Sequence, residues 1–258
     1  SNTFGNKTVA SGINSVVFGR GCEVAEPYVI GLGYSANNHI PIMNNNQNLN
    51  IKFNAENGNG YFNGSADLGN ADYAEYFEWT DGNPKNEDRA GYFVSFTKNT
   101  NTIEIGNGDI IGIVSAAPAV VGDSAWAQWE SKYLKDVLGR YLLENITVEE
   151  DDFESPILDE NGIQLNNENN EPLFNKKSVI VKSKILNPNF DEKHQYTPRS
   201  DRKEWDAIGL LGKLWVYTFD PSIVIGNKID VGIDGTAIKG STYRVIDTNK
   251  GVVRIFFK

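Results

Sequence analysis

One short stretch of the sequence, residues 70–83, combines acidic and aromatic side chains in a way that could support catalysis. The stretch holds the acids Asp72, Glu75 and Glu78 and the aromatic residues Tyr73, Tyr76, Phe77 and Trp79. Apolar surroundings raise the pKa of a carboxyl group, which suits general acid or general base chemistry. The alternative is a structural role, because Tyr73, Tyr76 and Phe77 follow the i, i+3, i+4 spacing of a helical core face with the acids in solvent.

The same stretch begins an ordered series of motifs. The first is Ala71-Asp72-Tyr73-Ala74-Glu75-Tyr76-Phe77-Glu78-Trp79, followed by Asp81-Gly82-Asn83. The later motifs follow in order at 87–94, 110–115, 118–122, 137–140, 186–188, 196–199 and 204–212. Together they resemble the G2 peptidase family, the autoproteolytic intramolecular chaperone domains of phage neck appendages and tail spikes, and the resemblance covers about residues 64–258. Several motifs in one order are far more specific than a single short pattern.

The resemblance implies a function in virion assembly. Members of this family help an upstream β-structured fibre to form a homotrimer and then cut their own chain, so the expected partners are further copies of the chain and the fibre of the same polypeptide. The expected location is a virion appendage or tail fibre, assembled in the host cytoplasm. Fibres with many non-local contacts fold slowly, and a domain that trimerises first would hold three chains in register.

Self-cleavage requires a nucleophile near a carbonyl group and an acceptor for its proton. If the signature is helical, Asp72 and Glu75 lie three residues apart on one face. One protonated carboxyl could then donate to the leaving amide while the ionised one activates water. We therefore predict Asp72 and Glu75 as the catalytic pair and Glu78 as the reserve. Ser65 is an alternative nucleophile, or equally a turn residue.

The bond to be cut is expected within residues 64–70, and Ser65–Ala66 is the single predicted position. A competing route is attack by the Asn63 side chain on its own carbonyl before Gly64, which needs no signature acid. Two other functions remain open at this stage. One is a trimeric fibre tip that does not cut, and the other is a glycan-binding tip that uses Trp126, Trp129, Trp205 and Trp215.

The bond to be cut connects the signature to an N-terminal segment with its own pattern. A glycine-punctuated echo, Val17-Phe18-Gly19-Arg20-Gly21 and Val29-Ile30-Gly31-Leu32-Gly33, recurs after twelve residues. Short strands with glycine corners predict a β-roll or an interwound trimeric β-segment, too short to be stable alone. We predict residues 1–63 as the end of a trimeric fibre, followed by a flexible linker that ends at Gly69.

Residues 64–258 are predicted to form a β-rich chaperone domain. Alternating and β-branched runs predict most of its strands, and one clear helix is predicted over Ser124–Lys135, with Ser124 as its N-cap. An acidic, asparagine-rich loop insertion is predicted over 144–177. The fold class is therefore mainly β with minor α, in an α+β arrangement.

The composition narrows the range of partners. The chain has 258 residues and a net charge of −10, and its acidic excess argues against nucleic acid and anionic membranes. No apolar run is long enough to span a bilayer. One cysteine, Cys22, and two distant histidines, His39 and His194, do not suggest a metal site. We predict no cofactor and no metal.

Overall fold

A computed structural model describes residues 1–34, 49–55, 58–98, 101–125, 131–193 and 195–258. Strands dominate these residues, so the mainly β prediction is confirmed. The helical element among them is one 3-10 turn, Arg199–Asp201. The chain divides into two compact units, 1–69 and 70–258, whereas the sequence analysis predicts a boundary between residues 63 and 64. In the described part of the chain, no helix is long and apolar enough to cross a membrane.

The predicted helix Ser124–Lys135 is wrong. Ala125 has a φ of 49°, which does not fit a right-handed helix, and the described residues 131–135 form turns and isolated bridges. Tyr133 bridges Leu186, so the segment takes its backbone partners from distant residues and not from its own next turn. Residues 126–130 lie outside the described residues.

The first unit is a stack of short strands. They are β1 Asn2–Asn6, β2 Val9–Ala10, β3 Val16–Arg20, β4 Glu23–Val24, β5 Val29–Tyr34, β6 Leu49–Asn54 and β7 Asn59–Phe62. A five-stranded sheet runs in the order β1-β3-β5-β6-β7, and β2 pairs with β4. The pairs β1–β3, β3–β5 and β2–β4 are parallel, as in a coil whose successive turns lie on one another.

The stack repeats every fourteen residues, so the twelve-residue spacing of the sequence echo is not the spacing of the paired turns. Phe4 lies opposite Phe18, and Phe18 lies opposite Leu32. Glycines occupy the equivalent place in each turn: a β-carbon on Gly5 would lie 1.8 Å from the Gly19 oxygen, and one on Gly19 would lie 1.8 Å from the Gly33 oxygen. Only glycine allows this backbone approach, at φ values of 132° and 139°. The backbone contact, more than the apolar rhythm, fixes the repeat.

The second unit is built on a ten-stranded sheet. Its strands, with the ribbon strands β13 and β14, are β8 Asp72–Glu78, β9 Phe93–Phe96, β10 Ile103–Ile105, β11 Asp109–Val114, β12 Val120–Gly122, β13 Leu143–Pro156, β14 Phe174–Lys184, β15 Trp205–Tyr217, β16 Lys228–Val231, β17 Ala237–Lys239, β18 Tyr243–Asn249 and β19 Val252–Phe257. The first half of β15 pairs with β11 and β8, and its second half pairs with β19. This long strand therefore positions the signature strand β8.

Two apolar clusters stabilise the sheet. The larger cluster joins β9, β11, β15, β16, β18 and β19, and includes Phe93, Ile113 and Ile255, all fully buried. The smaller cluster holds Trp79, Val94, Ile103, Val114 and Ile208. Ile113 and Val114 are neighbours on β11 but belong to different clusters, so apolar groups cover both faces of the sheet there.

Residues 144–177, predicted as a loop, contribute instead to an antiparallel ribbon of β13 and β14. Three turns with one hydrogen-bond pattern flank and close this ribbon, at 134–142, 157–165 and 165–173. In each, a side-chain oxygen accepts two backbone N–H groups, and a later residue is left-handed. The accepting residues are Asp136, Asp159 and Asn167, and the left-handed residues are Gly139, Gly162 and Asn170. Polar composition here encodes turns, not an irregular loop.

We expect the ribbon to be dispensable for the folding of the second unit. Neither of this unit's buried clusters includes a ribbon residue. Leu143 lies opposite Lys184, so an Asn-Gly turn can replace residues 144–183 and close the shortened hairpin. The shortened protein should stay soluble and melt within a few degrees of the parent, measured by circular dichroism. Aggregation or non-cooperative melting would show that the ribbon belongs to the core.

Candidate functional site

The acidic signature, Asp72–Glu78, forms strand β8, so the helical geometry considered for Asp72 and Glu75 is wrong. One edge of β8 pairs with β15 and the other with β12. Side chains alternate between faces along a strand, so these two acids project from opposite faces of the sheet. Tertiary pairing overrides the helix-like spacing, in keeping with the β-propensity of the tyrosines and phenylalanine.

Asp72 lies at the start of β8 in a cleft of about 370 Å³. Its residue is only 7% exposed, and its Oδ2 accepts a hydrogen bond from the Ser115 hydroxyl at 2.6 Å. The Ala119 N–H donates to the backbone oxygen of Asp72 at 2.9 Å. The other polar or charged side chains that line the cleft include Asn70, Lys213, Trp215, Tyr217 and Arg254. The cleft thus combines a buried carboxylate, a hydroxyl and two cations.

Two glycines of β15 allow β8 to start so close to it. A β-carbon on Gly209 would lie 3.3 Å from Asp72 Oδ2, and one on Gly212, at a φ of 123°, would lie 2.3 Å from the Ala71 oxygen. Between them the pairing shifts by one residue, a β-bulge between Gly209 and Leu211. Such bulges redirect a side chain locally. The Gly-Leu-Leu-Gly sequence therefore shapes the Asp72 cleft.

Glu75 occupies a different setting on the opposite face. The Tyr73 hydroxyl donates to its carboxylate, and this hydrogen bond raises the pKa of Tyr73. A β-carbon on Gly122 of β12 would meet both side chains, so they cover this strand closely. Glu78, the reserve acid, is exposed at the end of β8. The structure does not bring the three signature acids together within one chain.

Ser65 and Ala66, the predicted cut position, lie in an exposed stretch outside the strands. This stretch follows β7 and belongs to the first unit, which ends at Gly69. Asn63 and Gly64, the competing asparagine position, lie in the same exposed stretch, and nothing lies within 4 Å of a β-carbon built on Gly64. The backbone there is accessible along its length.

A further acid, Asp206, was not among the site residues predicted from the sequence. Burial raises its pKa, and the Trp79 indole N–H donates to its Oδ2 at 2.7 Å. The Arg89 guanidinium lies 4.4 Å from the Trp79 ring centre and forms ion pairs with Asp81 and Glu87. The later signature residues thus build a polar network that holds the loop after β8. The sequence signal for it was weak, because Asp206 stands between Trp205 and Ala207 like an ordinary strand residue.

The Asp81–Arg89 pair gives a pH-dependent prediction. The hydrogen bond from Arg89 lowers the pKa of Asp81 to about 2, below an unfolded value of about 4. Its stabilising effect is therefore complete above about pH 4 and is lost as the pH falls towards 2. Because the Asp81 side chain is 55% exposed, we expect Asp81→Asn to cost about 1 kcal/mol or less at pH 7.

The measurement is the melting temperature of Asp81→Asn and of the parent between pH 2 and pH 7. The gap between them should close as the pH approaches 2. Asp247→Asn, on β18, is the control and should show no such change. A gap that stays constant with pH would contradict the ion-pair explanation.

Two of the four tryptophans considered for glycan binding, Trp205 and Trp215, are partly covered. Arg199 lies 4.1 Å from the Trp205 ring centre, and Arg254 lies 5.5 Å from that of Trp215. Trp126 and Trp129 lie outside the described residues, as do His39 and His194. Within the described part of the chain, no group of three or more His, Cys, Asp or Glu side chains could hold a metal ion.

The chain is similar in sequence to known phage proteins. The chain is 30% identical over 176 residues to the preneck appendage protein of Bacillus phage PZA and to the pre-neck appendage protein of Bacillus phage phi29. Each match covers 68% of this chain and 17% of the relative. A putative phage-related protein, YobO of Bacillus subtilis (strain 168), is 23% identical over 221 residues, which are 84% of this chain and 22% of YobO. The chain thus spans about a sixth of the length of these phage relatives.

Two solved structures are similar. The crystal structure of the pre-mature bacteriophage phi29 gene product 12 has a TM-score of 0.72 at 24% identity, over 98% of this chain and 29% of that one. This likeness concerns the fold alone. The crystal structure of the C-terminal fragment of the same gene product has a TM-score of 0.51 at 27% identity, over 72% of this chain and 100% of that one.

The family assignment rests on a family model that matches most of the chain. Residues 30–251 match the Peptidase_G2 model, described as the IMC autoproteolytic cleavage domain. The match includes the whole of β8, its partner β15, and both Asp72 and Ser115. The phage appendage relatives agree with this match. The chain therefore belongs to the Peptidase_G2 family of intramolecular chaperone (IMC) autoproteolytic cleavage domains.

Proposed function

We propose that this chain trimerises an upstream phage fibre and then releases itself by cutting its own backbone near residues 64–70. The observation that carries the proposal is the position of Asp72. It is a buried carboxylate at the head of β8, a few residues along the chain from an exposed stretch without strands. A buried acid next in sequence to accessible backbone is an arrangement suited to intramolecular proteolysis.

The proposed reaction is a hydrolysis. The ionised Asp72 carboxylate takes a proton from water as the water oxygen attacks the carbonyl carbon of the scissile peptide bond. The C–N bond then breaks, the new amine takes up a proton, and the products are a carboxylate terminus and a new N-terminus. Glu75 stays in the proposal as the second acid, with Glu78 in reserve. Since Glu75 is on the opposite face, Asp72 is the principal residue.

The exposed face of the first unit supports self-association. Phe4, Phe18 and Leu32 lie opposite one another on β1, β3 and β5 and stay exposed by 55%, 40% and 37%. The Phe4 and Phe18 rings stack with centres 4.8 Å apart. A continuous exposed apolar row of this kind marks a protein interface more often than free surface. We propose that this apolar row packs against further copies of the chain, in a homotrimer.

Phe18→Lys should therefore weaken association. Burying a phenylalanine is worth about 2 kcal/mol, and a trimer would lose this contribution in every chain. Native mass spectrometry at micromolar concentration should show trimers for the parent and smaller species for Phe18→Lys. Ile13→Lys is the control, because Ile13 is 61% exposed in the same unit but lies outside the row. A monomeric parent, or equal masses for all three proteins, would contradict this interface.

The proposal places the protein in a phage appendage or tail fibre, assembled in the host cytoplasm. The relatives named as appendage proteins are the support for this placement. The direct test of the function is the intact mass of freshly expressed protein, followed over hours of incubation. Two fragments whose masses sum to the chain plus one water are expected. An unchanged mass in a trimeric sample would favour the fibre tip that does not cut.

A further inference from the structure

We infer that Ser115 is a positioning residue for self-cleavage, orienting the Asp72 carboxylate towards the water that it activates. This inference rests on the proposed function. Ser115 follows β11, and its hydroxyl donates to Asp72 Oδ2 at 2.6 Å across 43 residues of sequence. A hydroxyl that donates to one carboxylate oxygen fixes the plane of the group and directs the second oxygen elsewhere.

The backbone around Ser115 is built to hold this contact. The Ser115 N–H donates to the Ala207 oxygen of β15 at 2.9 Å, which fixes the residue to the central strand. Ala119, at the end of the same short loop, donates to the Asp72 backbone oxygen at 2.9 Å. One loop therefore holds both the main chain and the side chain of Asp72. The side chain has few alternative orientations in this site.

The other groups around Asp72 explain why its hydrogen bond with Ser115 is needed. Gly209 of β15 presents no side chain to Asp72, and a β-carbon there would lie 3.3 Å from its Oδ2. Lys213 and Arg254 are the charged groups that line the same cleft. Either cation would attract a loosely held carboxylate and turn its basic oxygen away from water. The serine hydroxyl opposes this by keeping Oδ2 occupied.

The test compares Ser115→Thr with Ser115→Val in the full chain. These variants have the same shape and differ in one hydroxyl, so folding effects of the bulkier side chain cancel within the pair. A hydrogen bond to a charged group is worth enough that Val should cut roughly 10- to 100-fold more slowly than Thr. The acid limb of the cleavage rate against pH should also move to higher pH in Val, because the carboxylate has lost a donor.

A control variant and a hydroxylamine assay separate the outcomes. Ser222→Ala removes a hydroxyl that donates to Asp220 elsewhere in the unit and should cut at the parental rate. Equal rates and equal pH profiles for Thr and Val would overturn the inference while leaving the proposed function intact. Complete loss in Val, with a hydroxylamine-sensitive ester in Thr, would also overturn it, because Ser115 would then be the nucleophile. If the parent itself does not cut, the proposed function fails first.

Discussion

Asp72→Asn is expected to abolish self-cleavage while the protein keeps its fold and its oligomeric state. The amide is nearly the same shape and its oxygen can still accept from Ser115, but it cannot take a proton from water. General base catalysis contributes roughly 10²- to 10⁴-fold, so the intact chain should persist for at least a hundred times longer than the parent. Intact mass against time gives the rate directly. Asp109→Asn, an exposed acid at the start of β11, is the matched control.

Glu75→Gln and Glu78→Gln complete this experiment. Because Glu75 lies on the opposite face from Asp72, its loss should slow cutting less than the loss of Asp72 does. Glu78 is exposed and should have the smallest effect. A Glu75 variant that is fully inactive beside an active Asp72 variant would reverse the roles of the two acids.

The new N-terminus identifies the bond and the chemistry. Peptide mapping should find it at Ala66, and the product should vanish in Asp72→Asn. A cut after Asn63 that survives the acid variants would instead support the asparagine route, in which Asp72 is structural. Cutting should require assembly, so denatured chains should remain whole.

Gly212→Ala is expected to destabilise the second unit strongly. A β-carbon there would lie 2.3 Å from the Ala71 oxygen and 2.8 Å from the Asp72 α-carbon, both backbone atoms that cannot rotate away. The start of β8 must therefore leave β15, which costs several kcal/mol and opens the Asp72 cleft. We expect a lower midpoint of urea unfolding and no self-cleavage under conditions where the variant is still folded.

Gly226→Ala separates backbone strain from the steric contact. Gly226 also has a positive φ, 90°, but nothing lies within 4 Å of a β-carbon built on it. Its replacement should cost about 1 kcal/mol, the conformational term alone, and should leave cutting unchanged. Equal losses of stability in both variants would show that the contact with Ala71 is not what makes Gly212 necessary.

The sequence by itself determined the family resemblance and the mainly β class, and it gave the stretch around Asp72 as the candidate site. The ordered motifs can be recognised without knowing how the strands pair, because each motif is a continuous run of residues. Strand propensity is similarly local for Val, Ile, Tyr and Phe, so most strands of the second unit were predictable. The ribbon was not, because its turns depend on oxygens of Asp136, Asp159 and Asn167 that accept specific backbone N–H groups, a pattern easily taken for a polar loop.

Only the tertiary structure decided how the signature acids are arranged. The spacing of Asp72 and Glu75 fits one face of a helix, but pairing with β15 and β12 makes the stretch a strand and sends them to opposite faces. Ser115 joins Asp72 across 43 residues, a separation that leaves no local trace in the sequence. Gly209 and Gly212 are needed because β-carbons there would meet Asp72 and the Ala71 backbone oxygen of the neighbouring strand segment. A hydrogen bond or a close backbone contact between distant strands depends on register, and register is a property of the folded sheet.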